Sequence, residues 1–365
     1  MNCLIYPFRS VHESLVSTIN STRKDINVVT KVAPNGYAPA LKEKGYEFTT
    51  DFNEALKNVE GVIICDCRDS KWMTKDLIVK IKIALNSGKI VYNCNELKKE
   101  AIEEIESMPG FDNKKFINLA VYPDKDKLSS EYFVDVDCPV IAIGNMLRGL
   151  DNSTGLFELT RRFGERGFKT VPVGITFDCK LIGGYVFPTN IFDFAISEED
   201  KIELINSYIN DVQIRTGADV IVLDIPDGFM KYSDEVREGF GIRALMTTSA
   251  VSIDFFILNI PSDQIDGIMM PKLNTHFEQK YNISIDVVAI DSKYIQHDDT
   301  IESQTVCYYP ANDRHVDEEV AVFDEVQSIV LTIRLNDRNR YADVVSRCCL
   351  LYTSPSPRDG LLSRM

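Results

Sequence analysis

The sequence predicts an α/β protein of two domains, an N-terminal Rossmann-like parallel sheet and a C-terminal P-loop-NTPase-like parallel sheet. Three observations predict it. Short β-branched runs alternate with amphipathic stretches over the first hundred residues, a turn-like and charged segment breaks the series at 108–137, and a second series then follows. Strands that alternate with helices through short loops build βαβ units, whose parallel sheet is covered on both faces. The 365 residues suit two domains at roughly 100–200 residues each. We expect a Rossmann-like domain at 1–110, a linker at 111–137 and a P-loop-like domain at 138–348.

In the first domain, residues 3–7 (CLIYP), 26–32, 46–49, 62–67 (VIICDC) and 89–92 have the apolar, β-branched character of strands. Residues 11–21 and 53–57 read as helices. The stretch 74–86 places Leu77, Ile78, Ile81 and Leu85 at helical spacing, and 95–107 opens on Asn95 as a capping residue. The first strand is not followed by G-x-G-x-x-G, so no dinucleotide site is expected there. In the second domain the expected strands are 140–144, 170–175, 220–224, 253–260 and 283–290, with an extended piece at 329–335. The expected helices are 153–166, 198–216, 236–248, most of 262–280, and one from residue 336.

The net charge of −15 excludes non-specific binding to nucleic acid or anionic membrane, because a phosphate-neutralising surface must be basic. No uninterrupted apolar run reaches the length of a membrane span, and the N-terminal apolar run is too short for a signal peptide. The expected location is therefore cytoplasmic, where cysteines stay reduced.

The stretch VIAIGNMLRGLDNSTGLFELTRRFGERGFKTVPVG is the most informative. An apolar strand ends at Gly144, and a helix opens at Ser153 and Thr154. Gly144 and Gly149 have the G-x-x-x-x-G spacing of a phosphate-binding loop, whose backbone N–H groups face an anion. Leu150 and Asp151 stand where such a loop carries Lys-[Ser/Thr], and no lysine occurs between Lys127 and Lys169. Arg148 is the available cation, and Asn152, Ser153 and Thr154 can cap the helix or face a metal-bound phosphate. Downstream, GADVIVLDIPDG resembles a Walker-B strand that ends in Asp224, with Asp227 and Gly228 beyond it. The competing reading is that Asp-x-Pro-Asp-Gly makes a turn.

Asp178, after the next strand, is expected to face the same crevice. The ligand set is thus Gly144, Arg148, Gly149, Asn152, Ser153, Thr154, Asp178 and Gly228 around ATP or GTP. Asp224 and Thr154 would hold Mg²⁺, and Asp224 and Asp227 would be the catalytic carboxylates. Cys65, Cys67 and Cys94, with Asp69, are a weaker candidate metal set, since C-x-C alone fits buried thiols equally well.

The chain resembles bacterial, clostridial-type peptide maturation system proteins, which are encoded beside precursor peptides and radical-SAM enzymes. The resemblance rests on IYPF at 5–8, APNGY at 33–37, RRFGERGFK at 161–169, VFP at 186–188, IPDGFM at 225–230, FGI at 240–242 and Asp254-Phe255. The second domain also resembles a broader P-loop family with a Gly-rich turn, here at 181–184, although this chain lacks that family's lysine. The resemblance implies precursor peptide and peptide maturation enzymes as partners and leaves the reaction open. One expectation is an NTP-dependent peptide-modifying or ligase-type activity; the alternative is a non-catalytic scaffold that binds precursor peptide or a partner maturation enzyme. Residues 349–365 resemble a translated sequencing adapter, so a disordered tail is expected from Cys349.

Overall fold

Short strands of three to five residues in the first 118 positions assemble into one parallel sheet. The computed structural model describes residues 1–353 apart from 68–72, 125–132, 194–195, 237, 264–269, 313, 315, 319 and 322–329. The strands β1 (Asn2–Tyr6), β2 (Asn27–Lys31), β3 (Gly61–Ile64), β4 (Ile90–Asn93) and β5 (Phe116–Asn118) lie in the order β2-β1-β3-β4-β5. All their pairings are parallel. The connections carry helices α1 (His12–Thr22), α2 (Ala38–Glu43), α3 (Phe52–Lys57), α4 (Thr74–Asn86) and α5 (Lys99–Glu106). The run VIICDC is apolar throughout its strand because every residue of β3 is buried, as a sheet covered on both faces requires. Helix α4 buries Leu77, Ile81 and Ala84, one stripe of its surface, against Val62, Ile64 and Val91 in the core of this unit.

Three expectations need correction here. Residues 46–49 contribute only an isolated bridge between Val32 and Thr49. Helix α5 starts at Lys99 with Lys98 in the capping position. Asn95 is used instead at the strand end, where its N–H donates to Asn93 Oδ1 (3.2 Å) and Asn93 Nδ2 donates back to its carbonyl (2.8 Å). Finally, the segment expected as a linker contains β5, which extends the sheet through Val91↔Phe116 and Asn93↔Asn118.

Among the described residues the second sheet has seven strands in the order β14-β11-β10-β6-β9-β7-β8. In chain order its elements are β6 (Val140–Asn145), α6 (Ser153–Glu165), β7 (Thr170–Gly174), β8 (Tyr185–Val186), α7 (Glu198–Thr216) and β9 (Val220–Gly228). Then follow α8 (Ile242–Ala250), β10 (Phe255–Ile260), α9 (Met270–Tyr281) and β11 (Val287–Ile290). The antiparallel pair β12 (Lys293–Ile295) and β13 (Tyr308–Pro310) brackets α10 (His297–Ser303). Strand β14 (Leu331–Arg334) and α11 (Tyr341–Thr353) close the series.

Local chemistry explains the boundaries. Ser197 accepts from the Asp200 N–H at the start of α7, three acidic residues fill its first turn, and Gly217 ends it in the left-handed conformation. Acidic residues that precede strands tie the neighbouring strand: Asp254 accepts from the Val140 N–H (2.9 Å) and Asp286 from the Phe256 N–H (2.8 Å).

Helix α11 runs to Thr353 and buries Val344, Val345 and Cys348. The expected disordered tail is therefore corrected for 349–353, which are helical; 354–365 lie outside the described residues. The expected helix at 236–248 starts only at Ile242, after Gly241 in the left-handed conformation. By its contacts the chain divides into two compact units, one of residues 1–124 with 173–188, the other of 125–172 with 189–365.

Candidate functional site

Strand β6 lies between β9 and β10 at the centre of the second sheet. The chain reverses its direction of strand addition there, and open α/β sheets bind ligands outside the carboxyl ends of strands at such a point. Three carboxyl ends meet: the loop after β6, the end of β9 and the end of β10. Strands β6 and β9 pair Ile143↔Asp224 and then Asn145↔Gly228, so two positions of β6 oppose four of β9. That irregularity turns Asp-x-Pro-Asp-Gly into a bulged strand rather than the turn it resembles. It also forces Asp227 into the left-handed region, at φ 69°.

The glycines that spell a phosphate loop are explained by packing. A Cβ on Gly144 would lie 2.3 Å from the Phe229 ring, which is itself packed against Phe256, Phe277 and Tyr281. A Cβ on Gly228 would lie 2.4 Å from the backbone N of Arg148. Gly149 has φ +92°, and its open side faces the Tyr308 ring, 3.1 Å from where a Cβ would be. Burial, reinforced by Asp291, Glu238 and Asp263, pushes the Tyr308 phenol well above its ordinary value. It therefore stays protonated and donates to the Arg148 carbonyl at 2.7 Å.

The polar groups of the loop are occupied in the same way. The Asp151 carboxylate accepts from the Ser153 N–H at 2.8 Å, so the first amide of α6, which would face a phosphate, already faces an anion. Asn152 is buried and its Nδ2 donates to Asp224 Oδ1 at 2.9 Å. Asn259 Nδ2 donates to Asn145 Oδ1 (2.9 Å) and to Asn152 Oδ1 (3.3 Å), and Asn145 Nδ2 donates to the Leu150 carbonyl (3.0 Å). Asn259 Oδ1 is buried and has no hydrogen-bond partner among the described residues. The vacant valence is an acceptor, which suits a donor and not a phosphate oxygen.

Arg148 is half-exposed and engages Asp227 through Nε at 3.1 Å, with Glu238 at 3.9 Å; Arg243 approaches the other Asp227 oxygen at 3.7 Å. Ser153 and Thr154 are buried in the first turn of α6.

The structure thus brings together Gly144, Arg148, Gly149, Asn152, Ser153, Thr154, Asp224, Asp227 and Gly228. Asp178 has a different setting, in the first unit. Its Oδ1 accepts from the Asp66 N–H at 3.0 Å, and Asp66 Oδ2 accepts from the Phe177 N–H at 3.3 Å. Burial, then the neighbouring Asp66 charge, pushes Asp178 up to about 7. Of the thiol set, Cys65, Cys67 and Cys94 are all buried at strand ends of the first sheet, and Asp69 lies outside the described residues.

Sequence reasoning passed over Asn145, Asn259 and Tyr308. A signal existed for the first two: each is the polar residue near the end of an apolar run, VIAIGN and FFILNI, and the register pairs them directly. Tyr308 belongs to a short hairpin with no apolar periodicity to announce it. Because Asp224 is buried, Asn152→Ala should cost about 2 kcal/mol by removing a donor to a buried carboxylate, read as a lower urea midpoint at unchanged slope.

No family model matches the sequence, and no curated protein matches it. Among solved structures, the chain is similar to a DUF1611 family protein from Anabaena variabilis, with 11% identity and a TM-score of 0.54 over 96% of this chain and 99% of the other. It also aligns with chloroplast FtsY from Physcomitrella patens at 12% identity and a TM-score of 0.30, covering 93% of this chain and 96% of that one. For FtsY from Mycoplasma mycoides the identity is 9% and the TM-score 0.31, covering 93% and 99%. Among the described residues no helix is long and apolar enough to cross a membrane. The chain is an α/β protein with two parallel sheets, and it shares its overall fold with the DUF1611 protein.

Proposed function

We propose that this chain is a non-hydrolysing accessory protein of ribosomal-peptide maturation. In this reading its second unit is a P-loop-like domain that has exchanged phosphate and metal for its own side chains, and it serves as a scaffold for precursor peptide or a partner maturation enzyme. The observation that carries the non-hydrolysing part is the Asp151 carboxylate on the Ser153 N–H at 2.8 Å. An anion already satisfies the helix terminus, and a second one brought to it would meet like-charge repulsion. The Asn152–Asp224 bond supports the same reading, because it engages the acidic group on which Mg²⁺ would depend. The peptide context comes from the resemblance of the motifs alone.

Arg148 favours a second reading, in which a nucleotide or phosphate ligand binds beside the loop. Its guanidinium is half-exposed, but a ligand would have to draw it away from Asp227. Calorimetry with ATP and GTP, each with Mg²⁺, separates the two. No heat of binding at millimolar nucleotide, together with micromolar binding of precursor peptide, is the expected result. Micromolar nucleotide binding that weakens in Asp224→Ala and Thr154→Ala would overturn the replacement of phosphate and metal by side chains and call for a turnover assay. Absence of peptide binding would remove the precursor-peptide role and leave only the partner-enzyme role.

A further inference from the structure

The first sheet has its own reversal point between β1 and β3, and a second cluster of reactive side chains sits at the carboxyl end of those strands. The His12, Cys65 and Asp178 side chains are all buried, and their ligating atoms lie within 4.8 Å of one another. His12 opens α1 after β1, Cys65 directly follows β3, and Asp178 comes from the 3₁₀ turn Phe177–Ile182, which belongs to this unit. Cys94, at the end of β4, bonds through its thiol to Asp178.

We infer that this cluster is a binding site for one divalent transition-metal ion of the Zn²⁺ type, held by His12, Cys65 and Asp178, with the Cys94 thiol, which is bonded to Asp178, drawn in as the fourth ligand. The donor set selects the ion. Imidazole nitrogen, thiolate sulfur and one carboxylate oxygen suit a borderline-soft cation in four-coordination, whereas Mg²⁺ and Ca²⁺ require oxygen donors throughout. The surroundings support the ligands. The Asp66 N–H holds Asp178 Oδ1 and leaves Oδ2 toward His12 Nε2, 3.9 Å away.

The dication and Arg9 offset most of the negative charge of the two thiolates and two aspartates; the Arg9 guanidinium lies 3.3 Å from His12 Nε2 and 3.0 Å from the Asp66 carbonyl. Burial pushes both the Cys65 and Cys94 thiols up, and the nearby carboxylates push them further. Metal binding therefore proceeds by displacing protons from these groups into solvent. Metal on His12 Nε2 takes that lone pair and moves the ring proton to Nδ1, so both the Arg9 guanidinium contact with Nε2, now 3.3 Å, and the Arg9 N–H contact with Nδ1, now 3.1 Å, open in the loaded form.

The test is a Co²⁺ titration of the full chain after reduction and chelation, followed by absorbance. One equivalent should produce a near-ultraviolet thiolate charge-transfer band with the intense visible bands of tetrahedral Co²⁺, and Zn²⁺ should abolish both. Cys65→Ala and Asp178→Asn should each weaken binding at least tenfold. Cys307→Ser, at a partly exposed thiol bonded to Ser303, should change nothing. A titration without a thiolate band overturns the inference, as does a band that survives Cys65→Ala and disappears in Cys307→Ser. Should Cys65→Ala fail to fold, alkylation of the wild-type chain decides: Zn²⁺ must slow modification of Cys65 and Cys94, and equal rates with and without Zn²⁺ reject the site.

Discussion

Gly228→Ala is expected to destabilise the protein by about 3 kcal/mol, the upper end of the usual range for overpacking. The added Cβ would lie 2.4 Å from the Arg148 nitrogen and 2.6 Å from the Leu147 carbonyl carbon. Both are backbone atoms, so no rotamer change relieves the clash, and the loop after β6 must move as a body. A control lies in the helix that follows. Gly164, on the exposed side of α6, has nothing within 4 Å of a built Cβ, so Gly164→Ala should stabilise by about 0.5–1 kcal/mol. Urea unfolding of the two variants beside wild type measures both. A Gly228→Ala protein as stable as wild type would mean that the loop does not rest on β9 as described.

The same loop shows how far the sequence could be read. Gly144, Gly149 and Asp224 were visible as a pattern, and the sheet places them together, because strand and helix periodicities are local properties of the chain. The use to which the glycines are put was not visible. Whether a glycine opens space for a phosphate or for the Phe229 ring depends on residues 85 positions away, and nothing in G-x-x-x-x-G distinguishes the two. Helix α7 was legible to its last residue, since Ser197 and Gly217 mark both ends with their own chemistry. Strand β9 was legible only to Asp224, because the continuation through Pro226, Asp227 and Gly228 is imposed by pairing with β6. Asp178 follows a strand, as expected, yet its partners Asp66 and His12 lie more than a hundred residues earlier, beyond any local pattern.

Asp286→Asn is expected to stabilise the protein at neutral pH. The Asp286 carboxylate is pushed up to about 6, chiefly by burial, against smaller opposing effects of the Phe256 N–H and Arg347. A carboxyl group whose folded value is raised binds its proton more tightly in the folded state. Its contribution is therefore most favourable below the unfolded value near 4, falls as pH rises toward 6, and is level above that. A shift of this size corresponds to about 3 kcal/mol, an upper figure because the group retains some solvent contact. Asparagine retains an acceptor for the Phe256 N–H and carries no charge. The variant should then gain roughly 2–3 kcal/mol over wild type at pH 7 and nothing well below the unfolded value. Denaturant unfolding at several pH values would show the two proteins converging on the acid side; a constant difference across the range would contradict the burial argument.

The assignment of residues 173–188 to the first unit bears on how the chain is made. Asp66 waits for the amide of Phe177, which is 111 positions further along. At a synthesis rate of about 5–20 residues per second, that interval is roughly 5–20 s. During this time β1 to β5 have emerged in full, but the carboxyl ends of β1 and β3 still lack the segment that covers them. Strand β6 and helix α6 must be translated first, so the N-terminal unit is begun first and completed only after its successor has started. A truncation after Asp124, although it holds all five strands of the first sheet, would leave that edge permanently open to solvent, to chaperones and to other nascent chains.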